Sequence, residues 1–122
     1  MYKAWVAVAS LILVSGSILA AEAPAGKTLS AAEIKKIFVG KVATDGAHWS
    51  YHLKPDGSVD GTELGSIHKG RWAIRGKQLC LTVPVGTKED CVEVVRGGSG
   101  FIFRANGLDV SDVTIEPYRS RP

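Results

Sequence analysis

From Lys41 to Ile115 the apolar side chains fall on every second residue, and turn residues cut the runs at short intervals. No other feature restricts the fold as much, because a period of two gives a strand one face for a core and one for water. In HWSYHL, Trp49, Tyr51 and Leu53 share one face, and His48, Ser50 and His52 share the other. Pro55-Asp56-Gly57 is a turn, and a short strand follows around Ser58 to Thr62. In IHKGRWAIRG, Trp72 and Ile74 oppose Arg71, Ala73 and Arg75. Gly76-Lys77 turns the chain; Leu79, Leu81 and Val83 alternate; Pro84 to Lys88 form a loop; Val92 and Val94 alternate again. A GGSG turn from Gly97 to Gly100 precedes Phe101 and Phe103, and Asn106-Gly107 is the strongest hairpin signal. Leu108 and Val110 differ in parity from Val113 and Ile115. A bulge near Ser111 reconciles the two halves of that strand.

The pattern predicts a mainly β protein. One short helix leads into seven or eight antiparallel strands in a meander, forming a small lipocalin-like barrel or a sandwich. Closure into a barrel leaves no edge to protect. The inward set is then Trp49, Tyr51, Leu53, Trp72, Ile74, Leu79, Leu81, Val92, Val94, Phe101 and Phe103. The helix is written in detail. Ser30 with Glu33 makes a capping box, Leu29 with Ile34 offers a hydrophobic staple, and Gly40 supplies a left-handed stop. Ile34, Ile37 and Phe38 form its apolar face, which needs a partner surface because the helix is short. The expected seat is one end of the barrel or its side.

The first residues carry an address. Lys3 is followed by an uncharged, mostly apolar run from Ala4 to Ala21, and alanines cluster at Ala20, Ala21, Ala23 and Ala25. This is the layout of a secretory signal peptide. Ser10, Ser15, Gly16 and Ser17 weaken the run as a membrane anchor. The expected organisation is a signal peptide over 1–21, a flexible leader over 22–28, one domain over 29–116, and a tail over 117–122. The expected destination is the bacterial periplasm, with no membrane association after cleavage. In such an oxidising compartment Cys80 and Cys91 can pair. If Leu79 and Leu81 point inward, Cys80 points outward; the same argument from Val92 and Val94 turns Cys91 outward. A hairpin centred between Val85 and Gly86 sets the two opposite each other. A cross-strand disulfide on the outer face follows, closing a loop of about a dozen residues and contributing roughly 3 kcal/mol.

Charge excludes one class of partner. The formal net charge is +3, and Lys3 is the single charged residue among the first twenty, so export lowers it to +2. The basic residues are scattered, whereas nucleic acid binding needs a basic stripe. Metal and nucleophile chemistry are likewise not expected. His48 and His52 are four residues apart on one strand face, about 13 Å in an extended chain. His68 has the parity of Trp72 and faces inward. Asp56, Ser58, Asp60 and Gly61 imitate the start of a calcium loop, but Ile67 stands where a bidentate glutamate is required. Ser99 in GGSG lacks the strand-turn-helix setting of a nucleophile elbow. No cofactor is expected.

The aromatic residues remain. Trp49, Tyr51 and Trp72, with His68, are the candidate binding residues of a barrel interior. The helix LSAAEI, the PDG turn, and GRWAIRGKQLCL with Cys91 downstream resemble small secreted bacterial proteins of unknown function. More distantly, the chain is similar to periplasmic metalloprotease inhibitors, which are small barrels with a tryptophan-bearing strand, a disulfide and a reaching N-terminal segment. The expected function is non-catalytic binding of a protein, a glycan or a small apolar ligand. The alternatives are an inhibitor of a protease or lysozyme, and a small hydrolase or isomerase using His68 with a carboxylate.

Overall fold

Ser30 caps the first element, and both halves of the capping box form: the Glu33 amide donates to the Ser30 hydroxyl and the Glu33 carboxylate accepts from the Ser30 amide. The computed structural model describes residues 26–120. The expected signal peptide and the start of the expected leader lie outside the described residues. Helix α1 (Ala31–Phe38) ends at Val39, and Gly40 follows with a φ of 84°, the left-handed stop expected there. Eight strands come next: β1 (Lys41–Thr44), β2 (Trp49–Leu53), β3 (Ser58–Glu63), β4 (Ser66–Arg75), β5 (Gln78–Thr82), β6 (Asp90–Gly97), β7 (Gly100–Ala105) and β8 (Leu108–Pro117).

Each strand pairs antiparallel with the next, and β1 closes on β8 with Ala43 opposite Ile115, so the sheet is a barrel and not a sandwich. The register shift in β8 falls between the Phe103–Ser111 and Arg104–Asp109 pairs, beside the residue where the parity argument put a bulge. All the residues expected to point inward belong to the core or pack against it.

The helix defines the two ends of the barrel. It packs on β1, β4 and β5, and the Gly40 amide donates to the Leu53 carbonyl at the end of β2. Leu29, Ile34 and Phe38 are fully buried beneath it. Phe38 reaches into the lumen, 5.5 Å from Phe101 and 6.1 Å from Phe103 between ring centroids. This end is closed. The other end, formed by the close of β1 and the start of β2, the β3–β4 turn, the β5–β6 loop and the β7–β8 turn, has no helix over it among the described residues.

Both ends of the described chain are bonded to the barrel. The leader expected to be flexible is tied down from Gly26: Gly26 and Leu29 donate to Arg96 and Val94, and Arg96 donates back to Lys27. β5 pairs with β6 only as far as Glu93, so the edge of β6 beyond it is free to take this segment, with Thr28 opposite Val95. That cover explains why neighbouring Val94 and Val95 are both fully buried although their parities differ. Pro117 is paired with Lys41, and the Tyr118 ring stacks on His52 at 3.9 Å. His52, expected as a plain surface residue, is therefore half-buried on the outer wall.

Cys80 and Cys91 stand opposite each other on β5 and β6 and form the disulfide. Cys80 is fully buried despite its outward parity, flanked by Ala73 on one side and Cys91 on the other. No described helix is long and apolar enough to cross a membrane.

Candidate binding site at the barrel mouth

The open end holds a cavity of about 360 Å³. Its walls come from strands around most of the barrel: Trp49 and Tyr51 on β2, Leu81 on β5 with Val83 just beyond it, Asp90 and Val92 on β6, and Phe103 on β7. The alternation of each strand places these side chains inside. Two aromatic contacts hold the shape. Trp49 lies 4.8 Å from Tyr51 along its own strand and 5.8 Å from Phe103 across the lumen.

A missing side chain makes room for Tyr51. Gly61 is its partner on β3, and a Cβ there would meet the Tyr51 ring at 2.9 Å. The ring lies over this gap, and its hydroxyl donates to Glu63 Oε1 at 2.9 Å. Burial, then the Glu63 hydrogen bond and the charges of Glu63, Asp90 and Asp45, push the Tyr51 phenol well above the ordinary tyrosine range. The hydroxyl stays protonated and serves as a donor.

The β1–β2 connection at the same end is rigidly bonded. The Asp45 carboxylate accepts from the amides of Ala47, His48 and Trp49, and its other oxygen contacts His48 Nδ1 at 2.9 Å. Desolvation opposes the charge on Asp45, yet these donors outweigh it and hold the carboxyl well below the usual aspartate range. Thr44, nearly buried, donates its hydroxyl to the Trp49 carbonyl at 2.7 Å. The loop thereby fixes the backbone that carries Trp49.

Exposed apolar side chains concentrate around this opening. Leu64 in the β3–β4 turn, Val85 in the β5–β6 loop, and Leu108 and Val110 at the start of β8 all face solvent, and Ile67 joins them at the start of β4. Leu64 is 81% exposed and carries a φ of 49°. A two-residue hairpin turn with positive φ prefers asparagine or glycine at that place. Leucine there gains no packing in return for its backbone conformation.

The four residues expected to bind are thus divided. Trp49 and Tyr51 line the cavity. Trp72 lies toward the closed end, where its indole N–H donates to the Lys54 carbonyl at 2.6 Å, so its polar edge is used by the barrel itself. His68 has the inward parity expected of it and stands opposite Gly61, but it does not line the cavity. It makes no side-chain hydrogen bond or ion pair to a carboxylate among the described residues. Phe103, Leu81 and Val92 belong to the inward set that alternation predicts. Asp90 has the parity of Val92 and therefore faces inside. Leu64 sits in a turn, where alternation gives no direction, and Leu108 sits at the start of β8 before the bulge.

The acidic DGSVDG segment is a hairpin: Asp56 accepts from the Ser58 amide and hydroxyl within the β2–β3 turn, and Asp60 is paired with Lys54 and Lys69 on the outer wall. Set against models of protein families, curated proteins and solved structures, the chain gives no match.

Proposed function

We propose that the chain is an exported, non-catalytic binding protein that receives a small apolar group in the mouth of its barrel. One observation carries this reading: the aromatic-walled cavity opens within a ring of solvent-exposed Leu64, Val85, Leu108 and Val110. Its volume is at the lower end of small-molecule sites, which begin at about 300 Å³. Exposed apolar side chains gathered around an opening mark an interaction site more than single ones scattered over a surface do. The leucine in a left-handed turn adds to this, since backbone strain without packing gain concentrates at functional positions.

The Cys80–Cys91 bond supports export to an oxidising compartment, and the signal-like start supports the periplasm. The inhibitor reading receives less support. Its reaching segment would have to be free, whereas residues from Gly26 to Leu29 are bonded along β6. The catalytic reading needs a carboxylate on His68, and the described residues provide no such contact.

The test uses N-phenyl-1-naphthylamine, a neutral probe that brightens in apolar sites. The expected result is saturable enhancement that Trp49→Ala abolishes and Trp72→Phe leaves in place. Enhancement that survives Trp49→Ala, or none at all, would overturn the proposal.

A further inference from the structure

We infer that the mouth selects an organic cation, an apolar body bearing an ammonium group, over neutral and anionic molecules of the same size. The inference rests on the reading of the mouth as a binding site and adds the chemical class of the ligand.

The charged lining of the cavity has one sign. Asp90 lines the cavity, and no lysine or arginine among the described residues does. Glu63, opposite Trp49 on the inward side, accepts from the Tyr51 hydroxyl beside the ring edge. Neither carboxylate has a salt-bridge partner among the described residues. Of the other acids of the barrel, Asp60 is paired with Lys54 and Lys69, Glu89 with Arg75 and Asp109 with Arg104, whereas Glu93, Asp112 and Glu116 have outward parity. The upward shift of the Tyr51 phenol has Glu63, Asp90 and Asp45 among its causes, so three carboxylates act on one point in the lumen. The walls complement them. Trp49, Tyr51 and Phe103 present aromatic surface, whose negative faces attract an ammonium group. A carboxylate ligand would meet like charge in the same place.

The chain as a whole carries a formal charge of +3, so attraction by overall charge favours an anion. A preference for a cation therefore reports the mouth and not the whole surface.

The experiment titrates the protein with octyltrimethylammonium, octyl glucoside and octanoate below their aggregation concentrations, by calorimetry at low ionic strength. The expected order is ammonium, then glucoside, then octanoate. Asp90→Asn should weaken the ammonium ligand about fivefold, the size of one unit charge at about 4 Å in a water-like setting. It should leave the glucoside unchanged. If all three bind equally, or octanoate binds most tightly, and Trp49→Ala removes that binding, the mouth stands as a site and the inference is overturned. If none binds, both readings fall.

Discussion

Trp49 and Phe103 face each other across the lumen, 5.8 Å apart between ring centroids and inclined by 17°, from strands that are not neighbours in the sheet. Phe103 in turn stacks toward Phe38 of the helix at 6.1 Å. An aromatic column thus runs from the closed end to the mouth and forms the floor of the cavity.

Cutting that column should cost stability and deepen the cavity together. Phe103→Ala is expected to destabilise the fold by about 3–5 kcal/mol, as for other buried phenylalanines. Urea titration followed by circular dichroism measures it. A loss below about 1 kcal/mol would show that Trp49 and Phe38 close over the gap.

Gly61→Ala tests the space beneath Tyr51. The added methyl carbon would meet the ring at 2.9 Å, so the ring must move and its hydrogen bond to Glu63 must lengthen or break. The expected signature is a fall of the Tyr51 ionisation toward the ordinary tyrosine value, read by ultraviolet titration. In the parent chain the raised value means that folding is favoured by the neutral phenol. That contribution is complete below the unfolded value of about 10 and is lost as pH rises through the folded one.

His52 should titrate low. Burial, the largest cause, disfavours its charged form, Asp60 opposes that effect and Lys54 assists it. Its Nδ1 is buried without a partner among the described residues, and Tyr118 covers the ring. The depressed value gives stability that is present above the unfolded value of about 6.5 and lost as pH falls through the folded one. Removing the cover with Tyr118→Ala should raise the His52 value, followed by NMR of the imidazole protons. No change would mean that the stack does not set it.

The disulfide closes a separation of 11 residues. The double variant Cys80→Ala/Cys91→Ala is expected to lose roughly 3 kcal/mol in the chain-entropy picture. Guanidinium unfolding of the oxidised parent and the variant gives the difference.

What could be read in advance follows from what each signal encodes. Alternation specifies a face, so the lumen residues, the cysteine register and the β8 bulge were all legible before any coordinates. The helix was legible because capping is local chemistry among Ser30, Glu33 and Gly40. Alternation does not say how far up the lumen a residue sits, and so Trp72 was grouped with Trp49 although the two occupy opposite ends. Nor does it see contacts made by strand ends: the pairing of Thr28 with Val95 depends on where β5 stops, and the cover on His52 depends on where the chain goes after Pro117. Leu64 illustrates a further gap, since its exposure comes from a turn that a leucine would not ordinarily occupy.

Gly26 meets the end of β6, and Tyr118 leaves the end of β8, so both extremities of the described chain emerge at the helix-capped pole. A surface, a fused partner or an affinity handle attached there would leave the aromatic opening pointing outward, unobstructed, toward whatever approaches from the far side.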